Sequence, residues 1–250
     1  MISPLNTLKK FGKTQLKAHT ATDAAAPQHT DAISTLPVSD GNPCPFLRGL
    51  VGAGMIDNGV VPINHLLNAI ETVVAHRDQG SPNVPRSGLR AVALTANGTS
   101  PKQIANNLRH GVNIDKLREG PYYKHGVHSR TLAETGEVNQ DQVLRLSSFG
   151  SAKIDKDGKI ELGLNETEIN HLICANFLRG AYPGHHRSIT DIPIMKSEYP
   201  VLLQVLGKQG KYERYLSISD LSDLLYHNQL PKRILTRLNQ PANKKCPFHQ

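Results

Sequence analysis

A succession of capped amphipathic segments between residues 62 and 238 is the feature that most constrains the fold of this chain. In the segment that starts at Pro62, apolar residues recur at the spacing that places them on one face of a helix: Ile63, Leu66, Leu67, Ile70, Val73 and Val74. Stretches with strand-like alternation are few and short, namely 89–96 and 158–164. The sequence therefore predicts a mainly α-helical, single-domain fold with at most small hairpins.

Helix start and stop signals mark the borders of the other segments. Ser100 and Pro101 form an N-cap followed by a proline at the first helical position, and Gly111 ends that helix. Asn165 and Glu168 match the capping-box pattern ahead of another apolar run. Further helix starts are predicted at Ser197, which caps a helix ending at Gly207, and at Ser217 and Pro231.

The regions at either end of the chain differ in composition from these segments. Residues 1–37 are rich in Ala, Thr, Ser, Pro and Gln without a period, which predicts a flexible N-terminal arm before a domain at 38–240. Residues 241–250 form a polar tail. No apolar run reaches the roughly 18 residues of a membrane-spanning helix, and the N-terminus lacks the apolar core of a secretory signal. We therefore expect a cytoplasmic protein without a transmembrane segment.

The charge balance is basic, with 29 Lys and Arg against 21 Asp and Glu, a net charge of +8 and a pI near 9.4. Such an excess favours anionic partners in general. The basic residues are scattered, however, and no arginine-rich arm or basic–aromatic stripe is present. Nucleic acid is therefore not an expected partner.

Residues 155–162 (DKDGKIEL) resemble the middle of a calcium-binding loop. Placing Gly158 at the sixth loop position puts Lys153 at the first and Leu164 at the twelfth, where oxygen ligands are required. A turn that leads into the helix capped by Asn165 explains the segment without a metal ion. A related pattern at 210–225 predicts a second, similar turn–helix unit.

The three cysteines, Cys44, Cys174 and Cys246, cannot all pair with one another, and we expect no disulfide framework. Cys174 lies on the apolar side of its predicted helix and is expected in the core. Cys246 belongs to the polar tail.

Cys44 stands between Pro43 and Pro45, which fix the local backbone. If the following residues are helical, Pro45 is the first helical residue and Cys44 the N-cap. Free amides and the helix dipole at that position lower the pKa of a thiol and stabilise the thiolate. A thiolate placed in this way is a nucleophile or a metal ligand. A small residue buried in a turn is the structural alternative.

Residues 43–70 (PCPFLRGLVGAGMIDNGVVPINHLLNAI) resemble the proximal segment of the haem-thiolate peroxidases, the family of chloroperoxidase and the unspecific peroxygenases. The resemblance covers residues 41–76 well and 110–235 in outline. It implies a chloroperoxidase-like helical domain that binds haem b, with Cys44 as the axial ligand of the iron and Pro43 and Pro45 beside it. A thiolate ligand favours cleavage of the O–O bond of bound peroxide.

The same resemblance implies a distal acid–base residue on the other face of the haem. Glu198 is a candidate because the residues that follow it are similar to those after the family's catalytic glutamate. A carboxylate at the first turn of a helix is also simply a good dipole partner. His186 is an alternative proton carrier, and Arg179 or Arg187 would orient the acid.

Residues 122–132 (YYKHGVHSRTL) are comparable to a family motif that holds magnesium beside a haem propionate. Lys124 and Gly126 stand where the family has carboxylates, so we expect Lys124 to supply the positive charge and magnesium to be absent. His125 or His128 would carry a proton or bind a propionate, and Ser129 belongs to the same cofactor-binding stretch. A polar loop that is rich in histidine without function is the alternative.

The resulting hypothesis is an oxidoreductase that uses hydrogen peroxide for peroxidation or for oxygen transfer to a small organic substrate. Two alternatives stay open: a non-catalytic haem-binding protein, and a helical interaction module with degenerate EF-hand-like turns.

Overall fold

The computed structural model describes residues 37–78, 85–121, 138, 140–178 and 191–239, and helices form most of this part of the chain. For residues 142, 176–178 and 191–198 it describes only the backbone. The helices are α1 (Pro45–Gly52), α2 (Ile63–Ala75), α3 (Arg86–Thr95), α4 (Pro101–His110), α5 (Gln140–Phe149), α6 (Glu166–Leu178), α7 (Asp191–Leu206), α8 (Ile218–His227) and α9 (Lys232–Asn239), together with a short 3₁₀ helix at Ile114–Glu119. The mainly α-helical class predicted from the sequence is confirmed.

The predicted caps account for several helix borders. Ser100 Oγ accepts the N–H of Gln103 at the start of α4, and Gly111 ends that helix with a positive φ of 110°. At the start of α6, Asn165 Oδ1 accepts the N–H of Glu168 (2.9 Å), while the Glu168 carboxylate accepts the N–H of Asn165 (2.8 Å). This reciprocal capping box confirms the sequence-based border of α6.

Two small antiparallel sheets accompany the helices. One pairs β1 (Val60–Val61) with β2 (Val112–Asn113). The other has four strands in the order β3-β4-β6-β5, formed by β3 (Ser151–Ile154), β4 (Ile160–Leu164), β5 (Lys208–Gln209) and β6 (Arg214–Ser217). In its central pair Leu164 lies opposite Leu216 and Gly163 lies opposite Ser217.

The four-stranded sheet joins two units of similar construction. The first module (140–178) consists of α5, the β3–β4 hairpin and α6; the second module (191–227) consists of α7, the β5–β6 hairpin and α8. The antiparallel pairing of Leu164 with Leu216 joins the two modules in the centre of this sheet. The two turn–helix units that the sequence predicted are thus confirmed as halves of one sheet.

The apolar faces of the helices meet in one hydrophobic core. Side chains that are almost fully buried come from α1, α2, α6 and α8 and from the 3₁₀ helix, among them Leu50, Leu67, Leu172, Leu224 and Ile114. Helix α1 packs on α8, and α2 packs on α3, α7 and α9. Burial of this apolar surface is the main stabilising contribution to the fold.

Two sequence-based predictions about secondary structure and burial are wrong. Residues 89–96 are interpreted as a strand, but 89–95 belong to α3 and Ala96 is its C-cap, because alanine is a strong helix former and Ala93 and Ala96 supply buried side chains. Cys174, expected in the core, is exposed, because α6 buries Ile169, Leu172 and Ile173 and the next position turns outward.

An ion-pair network links the two hairpins on the face of the sheet opposite Leu164 and Leu216. Lys153 pairs with Glu168 and Glu213, and Lys208 pairs with Asp155 and Glu161. Burial by itself would raise the pKa of Glu161 and Glu168. Hydrogen bonds, from Lys208 and Tyr215 to Glu161 and from Ser151 and Asn165 to Glu168, together with the lysine charges lower the pKa of each carboxyl. The paired carboxylates in turn raise the pKa values of Lys153 and Lys208.

This network predicts a specific dependence of stability on pH. A carboxyl whose pKa is lowered on folding stabilises the protein above its unfolded pKa and loses that effect as the pH falls. The melting temperature is therefore expected to fall by several degrees below about pH 4.5, the unfolded value for Glu161, Glu168 and Glu213. Asp220 opposes this loss in part. Burial raises the pKa of its carboxyl, so protonation of this group favours the folded state as the pH falls. Lys153 and Lys208 have raised pKa values in the folded protein, so their contribution to stability persists up to about pH 10.5, the unfolded value, and is lost above it.

Thermal melts followed by circular dichroism across this pH range measure the effect. A Lys153→Met variant should show a shallower fall on the acid side, because Glu168 and Glu213 then lose the ammonium group with which they form ion pairs. Parallel acid profiles for the two proteins would contradict the assignment.

No helix among the described ranges combines the length and apolar character needed to cross a membrane. The predicted tail (241–250) and all of the predicted arm (1–37) except Pro37 lie outside the described residues.

Candidate thiolate site

Cys44 is the N-cap residue of α1. Its backbone is extended (φ −87°, ψ 112°), Pro45 occupies the first helical position, and the Cys44 side chain makes no capping hydrogen bond. The geometry predicted for this turn is confirmed. The sulfur therefore lies at the end of the helix where amide N–H groups and the positive end of the dipole are found.

The turn before Cys44 is held by Asn42. The Asn42 carboxamide oxygen accepts the N–H of Cys44 (3.1 Å), and the Asn42 N–H donates to the carbonyl of Ser39 (3.2 Å). Asn42 is fully buried and Pro43 and Pro45 are buried, whereas Cys44 keeps partial exposure. The Asn42 side-chain NH₂ group is buried without a hydrogen-bond partner in the described part of the chain. An unmatched donor therefore lies two residues before the thiol.

Glycine is required next to this turn. A Cβ atom at Gly41 would lie 1.7 Å from the carbonyl oxygen of Asp115 in the 3₁₀ helix. The 3₁₀ helix thus packs directly against the approach to Cys44, and Arg118 of the same helix binds the carbonyl of Asp40.

Arg48 places a buried positive charge one helical turn after Cys44. Its Nε donates to Asn228 Oδ1 (2.8 Å), and one Nη donates to the carbonyls of Ser39 and Asn42 (3.2 Å each). Arg48 is only 7% exposed, and it forms no ion pair with a carboxylate of the described residues. Burial lowers the pKa of Arg48, and the nearby charge of Asp40 offsets part of this effect.

A guanidinium held at this turn and the N-terminal end of the helix would act on a thiol in the same direction. The bond from Arg48 to the Asn42 carbonyl directs the guanidinium back toward the Cys44 turn. A cation close to a thiol favours the thiolate, and so does the N-terminal dipole. A thiolate at Cys44 would in turn supply the buried Arg48 with a counter-charge.

Helix α1 is fixed from its other side by α8 and the residues that follow it. A Cβ at Gly49 would lie 2.7 Å from Leu224 Cδ1, and one at Gly52 would lie 2.1 Å from the carbonyl oxygen of Asn228. Asn228 ends α8 in the left-handed conformation (φ 51°). The cysteine-bearing helix therefore has little freedom to shift.

The side chains of the other predicted site residues are not among those that the structure describes. Lys124, His125, His128, Ser129 and His186 lie outside the described residues. Glu198 lies within α7, whose backbone alone is described at that position.

The predicted start of the helix that carries Glu198 is wrong. Helix α7 begins at Asp191, so Ser197 is not its N-cap and Glu198 is not in its first turn. The helix continues through Pro200 although proline lacks the N–H that bonds to the preceding turn. An interaction with the dipole at the helix N-terminus therefore does not account for a glutamate at position 198.

Sequence reasoning missed three residues of the site. Arg48 could have been found from the sequence, because it follows Cys44 by four positions and residues at this spacing are neighbours on a helix. Asn42 carried a weaker one, since Asn often accepts a hydrogen bond from the residue two positions on. Asn228 lies 180 positions from Arg48 along the chain and carried none.

Comparison of the chain with protein-family models, curated proteins and solved structures gave no match. Within the described residues, no cluster of three or more His, Cys, Asp or Glu side chains is arranged to hold a metal ion.

Proposed function

We propose that this protein is a haem-thiolate oxidoreductase of the chloroperoxidase-like type, in which Cys44 is the axial ligand of haem b. The observation that carries the proposal is the position of Cys44 at the N-cap of α1, one turn from the buried guanidinium of Arg48. The resemblance of residues 43–70 to the proximal segment of the haem-thiolate peroxidases assigns iron ligation to this thiolate.

The residues around Cys44 fit a thiolate ligand. Pro43 and Pro45 are buried and hold the backbone, so that the sulfur is presented from a rigid turn. The unmatched NH₂ group of Asn42 supplies a buried hydrogen-bond donor close to the site. Donors and cations around a ligating sulfur reduce its charge and tune the potential of the metal that it holds.

When bound, the haem would supply the iron at which hydrogen peroxide is reduced while an organic substrate is oxidised. The protein holds the ligand deprotonated through the helix end and Arg48, and it fixes the sulfur through Asn42 and the two prolines. Glu198, His125, His128 and His186 are the proposed proton carriers for peroxide. Lys124 and Ser129 are proposed to contact a propionate, without magnesium.

Titration of the purified full-length chain with haem tests this function. We expect saturation at one haem per chain and haem-dependent oxidation of an organic substrate that requires hydrogen peroxide. Haem binding without turnover would favour the non-catalytic haem-binding alternative, and failure to bind haem would exclude both.

A second candidate is a helical interaction module, and the paired modules favour it. Two helix–hairpin–helix units joined through one sheet provide a scaffold without any role for Cys44. The haem titration separates the two candidates, because the interaction module predicts no saturable haem binding.

The role of Arg48 leads to a separate prediction. In haem-free protein carrying Cys174→Ala and Cys246→Ala, an Arg48→Met change should move the midpoint of the pH–rate profile for alkylation of Cys44 upward. The expected shift is about one pH unit, because a nearby cation favours the thiolate by this order. Alkylation with iodoacetamide followed by mass spectrometry measures the rate.

Arg48→Lys is the matched control. It keeps the positive charge but loses the forked hydrogen bonds to Asn228 and Asn42, so the profile should stay close to that of the parent protein. Identical profiles for Arg48→Met and the parent would show that the guanidinium does not act on the sulfur.

A further inference from the structure

Helices α3 and α4, which pack against each other, carry positive charge and no negative charge. No Asp or Glu occurs between residues 86 and 114. The arginines and lysines of the two helices are Arg86, Arg90, Lys102 and Arg109. Arg86 pairs with Glu71 of α2, whereas the other three side chains are exposed and form no ion pair with a carboxylate of the described residues. This helix pair therefore presents three cations to solvent.

Asn107 holds the two helices together, and exposed apolar side chains lie close to this contact. Asn107 is almost fully buried, and its Nδ2 donates to the carbonyl of Leu94 near the end of α3 (2.9 Å). Beside Asn107 on α4, Leu108 is 59% exposed, and on α3 Val92 is 52% exposed. Because Val92 is within one turn of Leu94, both apolar side chains lie near the place where the helices meet.

The cations lie beside these apolar side chains. Arg109 follows Leu108 directly, and Lys102 shares a face of α4 with Arg109 because seven residues make almost two helical turns. Arg90 precedes Val92 by two positions on α3. These five exposed side chains, here called the α3–α4 patch, are Arg90, Val92, Lys102, Leu108 and Arg109.

Two of the cations are unfavourable for the helices that carry them. Lys102 lies in the first turn of α4, where the positive end of the helix dipole repels a cation. Arg90 follows Arg86 by four positions, a spacing at which like charges on a helix repel each other. Helix stability therefore does not account for Lys102 and Arg90, whereas attraction to an anionic partner does.

An anionic membrane surface matches both parts of the α3–α4 patch. Anionic headgroups attract Lys and Arg side chains, and exposed aliphatic side chains enter the boundary between headgroups and acyl chains. The phosphates of a nucleic acid would attract the same cations but would gain nothing from Val92 and Leu108. The exposed apolar pair therefore favours lipid over nucleic acid.

We infer that the α3–α4 patch docks this protein on the surface of a membrane that contains anionic lipids. Arg90, Lys102 and Arg109 contact the headgroups, and Val92 and Leu108 insert at the headgroup boundary. The patch lies on the membrane and does not cross it. The inference goes beyond the proposed peroxide chemistry and does not depend on it.

Co-sedimentation of the full-length chain with lipid vesicles tests this inference. We expect binding to phosphatidylcholine vesicles that contain phosphatidylserine, no binding to pure phosphatidylcholine, and weaker binding at high salt because ions screen the cations. A combined Arg90→Gln, Lys102→Gln and Arg109→Gln variant should lower the partition coefficient by about a hundredfold, since each basic residue contributes about fivefold. A combined Val92→Ser and Leu108→Ser variant should lower it by about tenfold. All five side chains are exposed, so these changes leave the core intact.

A combined Lys156→Gln, Lys159→Gln and Lys211→Gln variant is the matched control. It removes the same number of exposed positive charges from the β3–β4 and β5–β6 turns, and it should retain most of the binding. Equal losses for the two triple variants would overturn the inference, because binding would then depend on net charge and not on the patch. A serine variant that binds like the wild-type protein would also overturn it, as would a wild-type protein that binds a DNA duplex but not the vesicles.

Discussion

Replacing Cys44 with alanine is expected to abolish thiolate-ligated haem and the peroxide-dependent oxidation that requires it. Loss of partners around a metal ligand commonly costs 10–100-fold in activity or affinity, so loss of the ligand itself should reduce turnover by at least about a hundredfold. The long-wavelength ferrous–CO band typical of thiolate ligation should disappear. Absorption spectra and peroxide-dependent turnover of the purified variant measure both effects.

Cys174→Ala is the control for this experiment. Cys174 is exposed on α6, and its removal should leave the band and the turnover unchanged. A Cys44→Ala protein that keeps the long-wavelength band would show that another residue ligates the iron. Equal thermal melts of the two variants would show that the loss is chemical and not a failure to fold.

Replacing Arg214 with methionine is expected to cause the largest loss of stability at a single position outside the thiolate site. Arg214 donates to the carbonyls of Leu203 (3.0 Å), Gln204 (3.3 Å) and Gly207 (3.0 Å) at the C-terminal end of α7. It also donates to the carbonyl of Asp78 (3.2 Å) beyond α2. The last carbonyls of a helix lack partners within the helix, so this side chain supplies donors at the end of α7, in addition to the Gly207 N–H that bonds to the Leu203 carbonyl (3.0 Å).

The expected loss in the free energy of unfolding is about 4 kcal/mol, since several partly buried acceptors lose a charged donor together. The melting temperature should fall by about 10 °C for a chain of this size. Thermal and urea melts followed by circular dichroism measure both quantities.

Two comparison variants separate the helix-end contacts from general effects of charge. Arg214→Lys keeps the positive charge but loses the forked guanidinium hydrogen bonds, so its melting temperature should lie between those of the wild-type protein and Arg214→Met. Arg90→Met removes an exposed arginine of α3 and should change the melting temperature by less than about 2 °C. Equal losses for Arg214→Met and Arg90→Met would contradict the assignment of Arg214 to the end of α7.

Local chemistry made part of this structure predictable from the sequence. The caps at Ser100 and Asn165 depend on neighbours within three residues, and both were predicted correctly. The N-cap position of Cys44 follows from the two prolines and the apolar run after them, which are also local signals. The mainly α-helical class follows from the spacing of apolar residues.

Features that depend on residues distant in sequence were not predictable in this way. The bond from Arg48 to Asn228 and the pairing of Lys208 with Glu161 join positions that only the folded chain brings together. The strand interpretation of 89–96 failed because the apolar alternation and two β-branched residues, Val92 and Thr95, were given more weight than the three alanines of the segment. The start of α7 was misplaced because Ser197 and Pro200 imitate a helix border within a continuing helix.

The most direct test of the central claim is the ferrous–CO absorption spectrum of the full-length wild-type protein after reconstitution with haem. A deprotonated Cys44 bound to iron predicts a band at the long-wavelength position of thiolate-ligated haem. A protein that retains no haem, or a band at the shorter wavelength of histidine ligation, would contradict it.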